Sequence, residues 1–109
     1  MKYDVFLSSS AEDDLRKAVD YIDRVLMNPG AADGLLAEAE RRFGELETFP
    51  RKYALVDDPV LKKWGVRLVT VKEYLVFYVI KEEKRRVDVV RFLHSRQNWA
   101  GILKQGAAE

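Results

Sequence analysis

The chain of 109 residues contains no cysteine, so it has neither a disulfide framework nor a thiolate metal site. It contains one histidine, His94, which excludes a histidine metal cluster. Long apolar runs are missing too. The longest is Leu75–Ile80, far below the roughly 20 residues that a membrane helix needs. The apolar stretch after the opening Met-Lys-Tyr-Asp is too short, and too soon interrupted, for a secretion signal. These absences point to a cytoplasmic protein with no membrane contact. There is also no internal repeat and no low-complexity segment.

What is present reads as a globular domain. Hydrophobic residues make up 48% and charged residues 34%, which suits one packed core rather than disorder. Residues 1–104 are expected to form a single domain, with 105–109 as a loose tail. The net charge of +1 hides a segregation: residues 1–50 hold 6 Lys/Arg against 11 Asp/Glu, giving −5, and residues 51–109 hold 13 against 7, giving +6. A basic half suits an acidic or polyanionic partner, although ordinary surface charge can segregate to this extent.

Periodicity gives the elements. Tyr3, Val5 and Leu7 alternate with Asp4, Phe6 and Ser8, the pattern of a strand. Ser9 and Ser10, followed three residues on by Glu12 and Asp13, read as a capping box that starts a helix. Leu15, Ala18, Val19, Ile22, Val25 and Leu26 form its apolar stripe, and Asn28-Pro29-Gly30 ends it. A second helix spans roughly residues 31–46 with Leu35, Leu36, Ala39, Phe43 and Leu46 as its stripe. Phe49-Pro50 stops it, and residues 51–64 read as a loop. Three strands follow at 66–71, 74–81 and 87–93, linked too tightly for anything but antiparallel pairing. Leu75–Ile80 is apolar on both faces, as an interior strand would be. In the last strand, alternation puts Val87, Val89, Arg91 and Leu93 on one face and Asp88, Val90 and Phe92 on the other. A short terminal helix begins near Asn98. The expected fold is α+β: strand, antiparallel helical hairpin, three-stranded antiparallel meander, with the hairpin on one sheet face and the other face free for function.

Three stretches resemble one family. Gly65–Ile80 is similar to the central hairpin of RelE/ParE toxins, Val89-Val-Arg-Phe-Leu-His-Ser-Arg-Gln-Asn-Trp99 to their last strand and its exit, and Leu46-Glu-Thr-Phe-Pro50 to the end of their second helix. The resemblance implies the toxin of a type II toxin–antitoxin system, paired with a cognate antitoxin. RelE-like members cut messenger RNA, often on the ribosome; ParE-like members inhibit DNA gyrase without cutting RNA; some members have no settled activity. All three alternatives stand for this chain, with the metal-independent ribonuclease as the leading expectation. In any of them an acidic segment of the antitoxin is expected over the basic side.

RNA cleavage by attack of the 2′-hydroxyl needs a base, an acid and positive charge at the phosphate, but no metal or cofactor. His94 suits proton transfer because an imidazole titrates near neutral pH, though a histidine at a strand end often only satisfies backbone. Arg67, Arg91 and Arg96 suit the charge role, since a guanidinium grips two phosphate oxygens. Arg91 sits among apolar neighbours, so it is either functional or held in an ion pair with Glu73 or Asp88. Arg67 is otherwise an edge-strand surface residue, and Arg96 otherwise simply exposed. Lys62 and Lys63 add charge for substrate binding. Tyr78 is a candidate to stack or donate a proton, with a core aromatic as its plainer role. Trp64 and Trp99 either stack on bases or anchor a loop and the terminal helix. Strand parity separates Arg91 from His94 unless the strand breaks or bulges near Leu93. Leu75, where the RelE pattern has an arginine, and the lack of a tyrosine after Tyr78 depart from that pattern.

Overall fold

The computed structural model describes residues 2–108. Four strands, β1 (Asp4–Leu7), β2 (Arg67–Val71), β3 (Tyr74–Lys81) and β4 (Arg86–His94), form one sheet in the order β1-β4-β3-β2. The meander β2-β3-β4 is antiparallel, as expected, and β1 adds to it in parallel with β4, from Asp4 opposite Arg86 to Leu7 opposite Val89. A parallel neighbour needs a long crossover, and the two hairpin helices are part of it.

The hairpin consists of α1 (Ser9–Asp20) and α2 (Pro29–Thr48). The cap of α1 is Ser8, whose hydroxyl accepts from the Ala11 amide at 3.0 Å, one residue before the serines that the sequence suggested. Asn28-Pro29 serves α2 rather than closing α1: the Asn28 side chain accepts from the Ala31 amide, with Pro29 in the first turn, where its missing N–H costs nothing. Between the helices the chain runs as a single π turn over Tyr21–Val25, with the Leu26 amide bonded five residues back to the Tyr21 carbonyl at 3.0 Å. That wider turn swings the following residues round the axis. Val25 and Leu26, expected in the apolar stripe, are 64% and 55% exposed as a result.

Leu35, Ala39, Leu46, Ala11 and Ala18 of the hairpin bury against Val69, Val71, Val76, Tyr78, Val87, Val89 and Phe92 of the sheet. The opposite face is not open. A short helix α3 (Pro59–Lys63), within the stretch read as a loop, and α4 (Trp99–Ala108) cover part of it. There Val56, Leu61, Val66 and Leu103 pack on Phe77 and Leu93, and Trp99 anchors α4 against Phe77 with ring centroids 5.4 Å apart. Helix α4 carries the backbone on through Ala108, four positions past Lys104, where the domain was expected to end; Glu109 lies outside the described residues.

The last strand bulges. Phe77 pairs with Arg91 and Tyr78 with Val89, so Val90 has no partner across the ladder. One extra residue reverses the alternation beyond it. Phe92 therefore joins Val87 and Val89 under the hairpin, and Leu93 joins the second cluster. The simple alternation expected from the sequence holds only up to Val89.

Candidate functional site

Each cationic side chain singled out above has a defined place. Arg67 begins β2, and its guanidinium donates to the Tyr53 carbonyl at 2.7 Å. Tyr53 precedes Leu55, which bridges to Arg67 along the outer edge of the sheet, so Arg67 binds the incoming loop to that edge. Arg91 lies where β4 runs on past the end of β1. Its Nε and terminal nitrogen donate to the two carboxylate oxygens of Asp14 at 2.6 and 2.9 Å, and the Phe92 amide donates to the same carboxylate at 3.1 Å. The partner is thus Asp14 of α1 and neither Glu73 nor Asp88; Asp88 instead pairs with Arg86 at 2.7 Å. Hydrogen bonding to Asp14 raises the Arg91 pKa, against a smaller opposing effect of burial. A two-point clamp of this kind is strong and directional.

His94 ends β4 on the other side of the sheet from Arg91, because the bulge comes before both and leaves their relative parity unchanged. Its imidazole meets the Tyr74 ring edge-on, with centroids 5.1 Å apart, and Tyr74 in turn stacks on Phe92. Nδ1 accepts the Arg96 amide at 3.1 Å, and the His94 amide donates to the Gln97 side chain at 2.8 Å. The imidazole thus organises the turn that leaves the strand. It also lines two adjoining clefts between hairpin and sheet, one of about 440 Å³ with Tyr21, Lys72, Glu73 and Tyr74, the other of about 340 Å³ with Asp14, Lys17, Tyr21 and Gln97. Arg96 is exposed beside it.

Arg67 is far from His94. It pairs with Tyr78 whereas His94 pairs with Tyr74; at about 3.4 Å per residue, that separates them by roughly 13 Å along β3, with the width of that strand between them. Lys62 and Lys63 are exposed in the last turn of α3, next to Trp64, which is 46% exposed. Tyr78 is a core residue and not part of a binding surface: it is fully buried, its hydroxyl donates to the Pro50 carbonyl at 2.6 Å, and burial pushes its pKa up to about 12. A phenol held like this cannot stack on a substrate.

The second sheet face keeps one groove of about 450 Å³. Leu61, Val66, Val79, Val90, Ile102 and Leu103 make its walls, Trp64 stands at one side, and Arg91 closes another. Asp14 and this groove were not foreseen. The acid lies in the capping stretch of α1, where it reads as helix-dipole complement, and nothing local reveals a contact 77 residues away. The groove depends on where α3 and α4 come to rest, which no periodicity encodes.

Comparison with known proteins agrees with this fold. Residues 5–99 match the family described as the ParE toxin of the type II toxin–antitoxin system, parDE. Among solved structures the chain is similar to one from the chromosomal ParDE toxin–antitoxin system of P. aeruginosa, with a TM-score of 0.67 and 18% identity over 84% of this chain and 95% of that one. It is also similar to one from the toxin–antitoxin complex RelBE2 of Mycobacterium tuberculosis, with a TM-score of 0.61 and 22% identity over 86% of this chain and 99% of that one. At these identities the likeness is one of fold. No curated protein matches at a comparable level of significance.

Proposed function

Since this chain belongs to the ParE toxin family of type II toxin–antitoxin systems, we propose that it stops growth by binding a protein target, DNA gyrase, rather than by cutting RNA. The observation that carries this reading is the dispersal of the would-be catalytic set. Arg91 gives its guanidinium to Asp14, Arg67 gives its own to a backbone carbonyl, and His94 lies across the sheet from Arg91. Phosphoryl transfer needs its base, acid and cations around one phosphate, in place to within fractions of an ångström. Binding needs only a surface.

The partner that restrains this activity is an antitoxin. An acidic, amphipathic antitoxin segment suits the second sheet face, with apolar residues in the groove between Val79, Val90 and Leu103 and carboxylates against Lys62 and Lys63. Binding through such a surface weakens as salt rises, because exposed charges are screened.

A ribonuclease is the second reading, favoured by one observation: His94, Lys17, Tyr21 and Lys72 border adjoining clefts. In that case His94 moves the proton, Arg96 and the lysines meet the phosphate, and Arg67 and Arg91 only hold the scaffold.

Expression in bacterial cells, followed by primer extension on abundant transcripts and by gel analysis of plasmid topology, separates the two. Growth arrest with intact transcripts and relaxed plasmid supports gyrase inhibition. Arrest with new transcript ends and normal supercoiling supports the ribonuclease.

A further inference from the structure

The largest unexplained apolar exposure lies at the tip of the helical hairpin. Tyr21, Val25, Leu26 and Met27 are 51%, 64%, 55% and 81% exposed and consecutive or nearly so in the chain. A contiguous exposed apolar cluster of this kind marks an interaction site, as scattered single side chains do not. The exposure is built in rather than frayed. The π turn over Tyr21–Val25 rotates Val25 and Leu26 out of the helix's own core stripe, and Met27 is held in a left-handed conformation with φ of 52°, which strains a residue with a side chain. Single π turns in helices are frequently found at functional sites.

Near the tip, where the hairpin meets the edge strand β1, lies a groove of about 390 Å³. Its floor is Leu7, Leu15, Val19 and Leu36, and its rim carries Glu12, Asp20 and Asp23 together with Arg16. Arg16 is paired with Asp13 and Asp20 with Arg24, while Asp23 and Glu12 make no ion pair among the described residues. Over residues 12–33 six carboxylates (Glu12, Asp13, Asp14, Asp20, Asp23, Asp33) face three cations (Arg16, Lys17, Arg24). An apolar floor with an acidic rim is complementary to one kind of occupant, an amphipathic segment whose polar side is basic.

We propose that the hairpin tip and this acid-rimmed groove are the surface by which the toxin grips its target, and that the target presents a basic amphipathic segment there. This rests on the gyrase reading above and deepens it: an enzyme that handles DNA carries basic surface where the duplex passes, and an acidic, apolar-tipped hairpin competes for such surface. The surface lies on the opposite side of the sheet from the groove assigned to the antitoxin.

The test is binding of the purified toxin to immobilised DNA gyrase tetramer, for the wild type and two double variants. Leu26→Ser with Met27→Ser removes the apolar tip, and Glu12→Lys with Asp23→Lys reverses the free rim charges. All four positions are exposed, so melting temperatures near that of the wild type serve as the check on folding. The expected result is at least tenfold weaker binding by both variants, with the wild type losing affinity as salt rises and the charge-reversed variant losing less. Wild-type affinity in both variants overturns the inference and leaves the gyrase reading standing. Loss in the tip variant alone overturns the basic occupant. A wild-type toxin that does not bind gyrase overturns the gyrase reading and this inference with it.

Discussion

Arg91 and Asp14 form a two-point clamp, 2.6 and 2.9 Å long, between the last strand and the first helix. With the Phe92 amide on the same carboxylate, it fastens α1 to the stretch of β4 that β1 does not reach. The exposures of the two side chains, 28% and 14%, keep both largely out of solvent, so removing one partner leaves the other short of bonds.

Asp14→Ala and Arg91→Ala are each expected to lower the unfolding free energy by about 1–3 kcal/mol. The double variant is expected to lose clearly less than the sum, because its second substitution removes a group already unpartnered. Urea unfolding of the four proteins measures the coupling. Additive losses would mean that the two side chains stabilise the fold independently, with no coupling between them.

Tyr78→Phe deletes the hydroxyl that donates to Pro50 without altering the packed ring. The expected cost is about 1 kcal/mol of stability, with toxicity unchanged when expression is matched. A toxin that stays folded but loses its effect would return Tyr78 to the working surface.

Acid should weaken the fold through Glu45. Its carboxylate accepts from the Tyr53 hydroxyl at 2.7 Å and from Arg42 at 3.1 Å. The Tyr53 bond first, and Arg42 next, hold its pKa down to about 2 from an ordinary 4.5. A depressed folded-state pKa means that the stabilisation is complete above about pH 4.5 and is lost as pH falls toward 2. Tyr53→Phe should therefore be less stable than the wild type at pH 7, with the gap narrowing between pH 4.5 and 2. Thermal unfolding across that range measures it; a gap independent of pH would assign the loss to packing alone.

The elements of this fold, other than the one-turn α3 that reads as loop in sequence, were legible because each carries its own local signal. The serine run at the start of α1, the Phe49-Pro50 stop after α2 and the two-sided apolar run of β3 need no knowledge of the rest of the chain. Two departures have one cause, an inserted residue. The π turn at Tyr21–Val25 and the bulge at Val90 both shift the phase of a repeat that reads as regular in sequence, and so misplace Leu26 in one case and Phe92 and Leu93 in the other. The candidate site was less legible because it depends on pairing across the chain. That Arg91 was either functional or held in an ion pair followed from its apolar neighbours; that Asp14 supplies the carboxylate followed only from the packing of α1 on β4. Tyr78 belongs in the core for the same kind of reason, since the Pro50 carbonyl that holds it lies 28 residues away.

The most direct measurement is supercoiling of relaxed plasmid by purified gyrase, titrated with the wild-type toxin and with His94→Ala, alongside incubation of both proteins with translating ribosomes and mapped messenger RNA. The expected result is inhibition of supercoiling by both proteins to within a few-fold, with transcripts left whole. Full supercoiling in the presence of the toxin, with new transcript ends that disappear in His94→Ala, would contradict it and establish His94 as the catalytic residue of a ribonuclease.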